Sequence, residues 1–182
     1  MAEVAIRKPA LFGLLAGSAT ARLTVTPTAS RISLRAPADS VPALSSALGL
    51  DLPTMPKTSG RAEGRSALWL GPDEWLVIDE AGSDLPALLS GAGVLHSAVD
   101  VSHRNVGIIV SGPGAEATLS AGCPQNLSLE IFPVGACTRT IFGKAEIVLF
   151  RTEDDTFRVE CWRSFSDYVF GLLAEGAEDA GH

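Results

Sequence analysis

Gly112-Pro113-Gly114-Ala115-Glu116-Ala117 has the G-x-G-x-x-A spacing of a turn that cradles a dinucleotide pyrophosphate. Such a turn works because glycines let backbone N–H groups close on phosphate at a helix start. The stretch follows an apolar run, Asn105 to Ser111, that reads as a strand. It opens a helix that Gly122 closes, with Pro113 suited to the first helical position. The corresponding turn earlier in the chain, Arg35-Ala36-Pro37-Ala38-Asp39, has no glycine. The shared feature is a proline that starts a helix, so the structural reading is the simpler one.

Asp100-Val101-Ser102-His103 offers a nucleophile beside a base. Neighbouring residues of a strand point to opposite faces, however, so Ser102 and His103 diverge while Asp100 and Ser102 share a face. No G-x-S-x-G elbow occurs. Cys161 with His96 or His103 is a candidate thiolate pair, set against the commoner fate of a strand cysteine, burial as a small apolar group. The three histidines lack paired spacing, so a metal site has no support. Asp73, Glu74, Glu130 and Glu146 are spread along the chain, and Trp69 and Trp75 read as core. Arg163, between Trp162 and a helix start, is a candidate carboxylate anchor or a structural ion-pair partner.

The elements that would position these residues come in two rounds. In the first, Arg31 to Arg35 alternates as a half-buried strand. Asp39 is placed to cap a helix with Val41, Leu44 and Leu48 at helical spacing, ended by Gly49. Leu50 to Arg65 reads as an exposed, mobile loop. Ser66–Leu70 and Glu74–Asp79 are strands about a Gly71-Pro72-Asp73 turn. Ser83 caps a short helix with Leu85, Leu88 and Leu89 inward, and His96 to Ser102 is a strand. The second round adds a strand before Gly143-Lys144 and one after it, then Thr156 to Trp162. A capping-box-like Ser164-Phe165-Ser166-Asp167 starts a helix with Phe165, Tyr168, Val169, Leu172 and Leu173 on one stripe. Gly71 to Ile78 and Gly143 to Phe150 match at one constant offset, the mark of an internal repeat.

The fold expected is therefore α+β, with two related halves of mixed or antiparallel sheet carrying helices on one side. The divisions are an apolar N-terminal arm at 1–24, halves at 25–102 and 103–175, and a flexible acidic tail at 176–182. A chain of 182 residues buries roughly 70% of its unfolded surface, enough without a metal or disulfide. A net charge of -7 argues against a nucleic-acid or anionic-membrane binder. Cys123, Cys137 and Cys161 form no C-x-x-C, and their odd number fits a reducing, cytoplasmic setting.

The N-terminus has two readings. Arg7-Lys8 followed by Ala10 to Ala16, with Ala19 and Ala21 spaced A-x-A, has the outline of a short signal peptide. Pro9, Gly13 and Gly17 interrupt its apolar core, which favours an apolar arm that packs on a partner. No run reaches the roughly 18 apolar residues of a membrane helix. Leu11, Phe12 and Leu14 of this arm are candidate partner contacts. Phe170, off the apolar stripe of the last helix and beside Gly171, is another.

Several separated stretches together resemble the gamma subunit family of heterotetrameric sarcosine oxidase. They are Leu70-Gly71-Pro72-Asp73-Glu74-Trp75-Leu76, Val99 to Arg104, Gly122-Cys123-Pro124, Leu127 to Glu130, Phe132 to Thr140, Gly143 to Ile147, and Phe157 to Phe165. The resemblance runs from about Ala10 to Leu173. It implies the fold of the folate-binding domain of the glycine-cleavage aminomethyltransferase, whose D-x-S…V-x-G-x-x-A segment is similar to Asp100, Ser102, Val110, Gly112 and Ala115. That enzyme's longer acidic hairpin has no counterpart in Thr140 to Glu146.

The resemblance implies a non-flavin accessory subunit with no catalytic, cofactor or metal residues of its own. Its partners would be alpha, beta and delta chains, chiefly alpha. The whole oxidase would demethylate sarcosine to glycine, form hydrogen peroxide and pass the one-carbon unit to tetrahydrofolate, with FAD, FMN, NAD and zinc on the other chains. The alternatives are a stand-alone folate-binding or aminomethyltransferase-like protein, and a gamma-like subunit of another N-methyl amino acid oxidase.

Overall fold

The computed structural model describes residues 10–181. Eleven strands form two antiparallel sheets among these residues. The six-stranded sheet has the order β1-β2-β8-β11-β10-β9, with β1 Leu15–Gly17, β2 Arg22–Val25, β8 Asn105–Ser111, β9 Cys137–Phe142, β10 Ala145–Glu153 and β11 Thr156–Trp162. The five-stranded sheet has the order β4-β5-β6-β3-β7, with β3 Ser30–Arg35, β4 Ser59–Ala62, β5 Arg65–Gly71, β6 Glu74–Asp79 and β7 Ser97–Asp100. The described residues also form four α-helices, α1 Val41–Leu48, α2 Leu85–Ser90, α3 Ala115–Ser120 and α4 Ser166–Asp179.

Strand alternation sorts the side chains into three cores. On β3 and β6, Ile32, Leu34, Trp75 and Val77 face α1 and α2, meeting Leu44, Leu48, Leu85 and Leu89. On β8, β10 and β11, Ile108, Val110, Leu149, Phe157 and Val159 face α3 and α4, meeting Leu119, Val169 and Leu173. The opposite faces of the two sheets pack on each other through Leu68, Leu76 and Ile78 against Cys137, Val148 and Phe150. The result is a helix–sheet–sheet–helix stack. Each buried Leu or Phe contributes about 1.5–3 kcal/mol relative to exposure.

The internal repeat is real in outline but shifted by one strand. The order β4-β5-β6-β3 corresponds to β9-β10-β11-β8, so the partner of the β5–β6 hairpin is β10–β11, not β9–β10. Both of these hairpins carry a bulge beside the turn, between Trp69 and Gly71 and between Arg151 and Glu153. A glycine turn, a glutamate and an apolar run are features of any two-stranded hairpin, so local pattern matched the wrong pair. The outer strand differs too: β7 flanks β3, while β2, from the start of the chain, flanks β8.

Several local expectations change. Within the 1–24 stretch, Leu15–Gly17 and the start of Arg22–Val25 pair into the six-stranded sheet. Pro9, Arg7 and Lys8 lie outside the described residues. Asp39 sits inside a 3-10 turn, Ala38–Ser40, and makes no cap. Asp84 rather than Ser83 caps α2, its Oδ1 accepting from the Ala87 N–H at 3.0 Å. Leu88 faces solvent. Helix α3 begins at Ala115, so Pro113 precedes it. The capping box is absent, since Ser164 lies in a second 3-10 turn, Arg163–Phe165, and Ser166 Oγ donates to the Arg163 carbonyl at 2.8 Å. The 50–65 stretch is packed, with Leu50 and Leu52 buried and the Pro53 carbonyl accepting from Trp75 Nε1 at 2.7 Å. Helix α4 runs on to Asp179, with Gly176 and Ala177 buried where the tail was expected to fray.

Two of the four candidate partner contacts are core. Phe170 is only 7% exposed and Leu11 is 6% exposed, both within the α3–α4 core. Helix α4 rotates Phe170 inward with Val169 and Leu173, while Phe165 and Tyr168, assigned to the stripe, face outward. Phe12 and Leu14 are exposed.

Candidate functional site

The most unusual chemistry lies between the sheets. Arg31 on β3 and Glu160 on β11 point into the inter-sheet layer and are both essentially inaccessible. Arg31 donates from Nε to Glu160 Oε2 at 2.7 Å and from Nη2 to Oε1 at 3.1 Å, a bidentate pair joining the two sheets. Arg158, also buried, donates from Nε to Glu160 Oε1 at 2.8 Å and from Nη1 to Glu80 Oε1 at 2.8 Å. Two cations and two carboxylates thus alternate, Arg31–Glu160–Arg158–Glu80, with no net charge. A planar guanidinium and a carboxylate fit one another in this fork geometry. Gly107 makes room: a Cβ there would stand 2.8 Å from Glu160 Oε1 and 2.5 Å from Thr26 Oγ1.

Beside this chain of charges is a cavity of about 500 Å³. It lies where the 26–29 and 101–104 linkers cross between the sheets, and Thr26, Arg31, Asp100, Ser102, His103 and Arg163 line it. Thr26 Oγ1 is buried there and has no hydrogen-bond partner among the described residues.

The structure brings Asp100 and Ser102 together, as expected, but turns both to backbone work. Asp100 Oδ1 accepts from the Ser102 N–H at 2.8 Å, and Ser102 Oγ accepts from the Arg31 N–H at 2.9 Å. The Ser102 hydrogen bonds, with the His103 charge adding to them, hold the Asp100 carboxyl below its ordinary range. His103 does not approach Ser102 as a base in any hydrogen bond given by the structure. His96 Nδ1 pairs with the Val94 carbonyl at 2.9 Å.

Burial pushes the Cys137 and Cys161 thiols up to about 12, and the Glu160 charge adds to the effect at Cys161. Both therefore stay protonated at neutral pH. Cys137 Sγ donates to the Thr58 carbonyl at 3.1 Å. Among the described residues, no group of three or more His, Cys, Asp or Glu side chains is placed to hold a metal.

The glycine-rich turn before α3 is filled by the protein itself. A Cβ at Gly112 would stand 2.5 Å from the Thr20 carbonyl oxygen, and one at Gly114 would stand 2.7 Å from Thr20 Oγ1. The Gly114 N–H donates to the Thr20 carbonyl at 2.9 Å. The glycines admit the 18–21 turn where a dinucleotide would need a phosphate. Glu74 bridges Arg35 and Arg139 at the far edge of the inter-sheet layer. Trp69 joins the inter-sheet core, and Trp75 is buried beneath α1 and α2. Glu146 faces solvent. Arg163 hydrogen-bonds through its backbone N–H to the Arg104 carbonyl at 2.7 Å and lines the cavity.

Sequence reasoning passed over Arg31, Arg158 and Glu160. Their alternation with apolar residues reads as a solvent face, and nothing local says that a second sheet covers it. The available signal was opposite charges two apart on β11, Arg158 and Glu160, in a chain with enough strands for two sheets.

Residues 35–179 match the family model described as the sarcosine oxidase, gamma subunit family. The chain belongs to that family. It is 36% identical over 120 residues to the sarcosine oxidase subunit gamma of Arthrobacter sp, covering 64% of this chain and 59% of that relative. It is 30% identical over 140 residues to the subunit gamma of Corynebacterium sp. (strain P-1), covering 75% and 69%. The aligned part thus spans about three-fifths of the Arthrobacter gamma subunit. Among solved structures, the heterotetrameric sarcosine oxidase from Corynebacterium sp. U-96 in complex with pyrrole 2-carboxylate contains a chain similar at a TM-score of 0.85 and 26% identity, covering 92% of this chain and 89% of that one. The glycine cleavage system aminomethyltransferase T from Bartonella henselae shares the fold, at a TM-score of 0.63 and 17% identity over 86% of this chain and 46% of that one. This chain therefore has the aminomethyltransferase frame that the family resemblance implied.

Proposed function

We propose that this chain is the non-flavin gamma subunit of a cytoplasmic heterotetrameric sarcosine oxidase. The observation that carries the reading is the match along 92% of the chain to a chain of such an oxidase. In this reading the chain works as a rigid packing module. The Arg31–Glu160–Arg158–Glu80 series locks the two sheets, and the described thiols and Ser102 are committed to structure. Alpha, beta and delta chains are the partners, chiefly alpha. They carry FAD, FMN, NAD and zinc, oxidise sarcosine to glycine with release of hydrogen peroxide, and hand the one-carbon unit to tetrahydrofolate. Phe12 and Leu14, exposed at the edge of the six-stranded sheet, are partner contacts. The test is the isolated chain: it is expected to lack visible flavin absorbance and sarcosine oxidase activity. A flavin-loaded, active product from this chain alone would overturn the reading.

A second reading has one observation in its favour. Asp100 and Ser102, the residues similar to the aminomethyltransferase D-x-S segment, line the 500 Å³ cavity. Retained affinity for tetrahydrofolate would follow. Calorimetric titration decides it, with micromolar binding supporting a folate site and no heat supporting a frame without ligand.

A further inference from the structure

Four large aromatic side chains are exposed among the described residues. Three of them, Trp162 at 41%, Phe165 at 43% and Tyr168 at 44%, fall at i, i+3 and i+6 along the junction of β11 and α4. The 3-10 turn Arg163–Phe165 carries the chain about one turn from Trp162 to Phe165, and Tyr168 follows in the first turn of α4, so the three exposed rings form a ridge along this junction. Trp162 and Phe165 stand 6.4 Å apart between ring centroids.

The ridge is held from behind. The Arg104 guanidinium lies 5.1 Å over the Trp162 ring, and the Arg104 carbonyl accepts from the Arg163 N–H at 2.7 Å. Tyr168 Oη accepts from the Lys144 N–H at 3.2 Å. Gly143, at φ +58°, has no Cβ to collide with that hydroxyl or with Leu172. The register of β10 and β11, Ile147 opposite Cys161, sets Glu146 beside Trp162, and exposed Ile141 lies opposite Glu146. Rigid, exposed Trp, Tyr and Phe with a stacked Arg is the composition of an interface hot spot, because little side-chain entropy is lost on docking.

The charges say what fits. Arg104 and Lys144 flank the ridge, and neither forms a salt bridge among the described residues. The chain as a whole carries 14 Lys and Arg against 21 Asp and Glu. Exposed Arg104, Lys144 and Arg163 outnumber exposed Glu146 and Asp167 along the ridge, and this net positive patch on an acidic protein matches a surface that brings carboxylates.

We infer that the Trp162–Phe165–Tyr168 ridge docks another chain of the oxidase assembly, one presenting an apolar hollow bordered by Asp or Glu. This rests on the gamma-subunit reading proposed above. The experiment measures association of the purified wild-type chain with the co-purified remaining oxidase chains, by light scattering and surface plasmon resonance. If the wild-type chain does not associate, the subunit reading itself falls. If it does, Trp162→Ala is expected to raise Kd about 30-fold, the conversion of a 2 kcal/mol hot spot. Arg104→Glu is expected to raise it at least tenfold and to weaken its salt dependence. Unchanged Kd for both variants would overturn the inference while leaving the subunit reading standing. If Trp162→Ala melts early, Arg104→Glu decides alone. Wild-type self-association that Trp162→Ala abolishes, with oxidase binding intact, would assign the ridge to a second copy of this chain and also overturn the inference.

Discussion

Replacing Glu160 by Gln tests whether the charge series between the sheets is a structural pin. The carboxylate accepts three hydrogen bonds, two from Arg31 and one from Arg158, at 2.7–3.1 Å. Gln keeps the size but removes the charge and presents an N–H₂ to one of the guanidinium groups. Two buried cations then remain, with only Glu80, at the exposed end, to balance them. Removing one partner of a buried ion pair costs about 3–5 kcal/mol, because the remaining charge is desolvated without compensation. Each kcal/mol lowers Tm by about 2–4 °C in a domain of this size, so the expected fall is roughly 6–20 °C. Urea unfolding followed by far-UV circular dichroism gives the same quantity as a shift in midpoint at constant slope. The triple variant Arg31→Met with Arg158→Met and Glu160→Met should recover much of the loss, since apolar replacement of a whole buried ion cluster is often near neutral. A loss below about 1 kcal/mol for Glu160→Gln would refute the reasoning, and so would a triple variant less stable than the single.

Phe170→Ala should destabilise the isolated chain by about 3–5 kcal/mol as a buried aromatic truncation, measured by urea unfolding; a change under 0.5 kcal/mol would restore Phe170 to the surface. Burial raises the Asp79 carboxyl, but the hydrogen bonds from Arg65 and Ser83, the Arg65 charge and the Ala81 N–H together hold it below its ordinary value. The unfolded chain therefore takes up this proton first, so the stabilisation is complete above about pH 4 and is lost as pH falls through the depressed folded value. Wild-type stability should fall more steeply than that of Asp79→Asn below about pH 4, and equal slopes would contradict the assignment.

The alternating and helical patterns were legible where one face of an element meets one core. The spans of β3, β6, β8 and β11 and the body of α1 followed from local pattern, because Ile32, Leu34, Leu44 and Leu48 keep period 2 or 3.6 toward a single neighbour. What local pattern could not carry was the layer between the sheets. Arg31 and Glu160 are 129 positions apart, and their pairing depends on how two sheets stack. Phe170 reads as off the stripe of α4 when that stripe passes through Phe165 and Tyr168, while the helix packs one step round on Val169, Phe170 and Leu173. Leu50 and Leu52 were hidden among Pro, Ser and Thr, whose composition speaks of turns and not of what those turns cover. The aromatic ridge was present in the sequence at Trp162, Phe165 and Tyr168, but a ring at helical spacing reads as core until the partner sheet and helix are placed.

Native mass spectrometry of the chain co-expressed with the other oxidase chains tests most directly the proposal that it is a packing subunit rather than a protein that acts alone. The prediction is a single complex holding one copy of this chain with the flavin-bearing chains, and a separate, colourless peak for any excess. A chain that remains wholly outside the flavin-bearing complex would contradict the account.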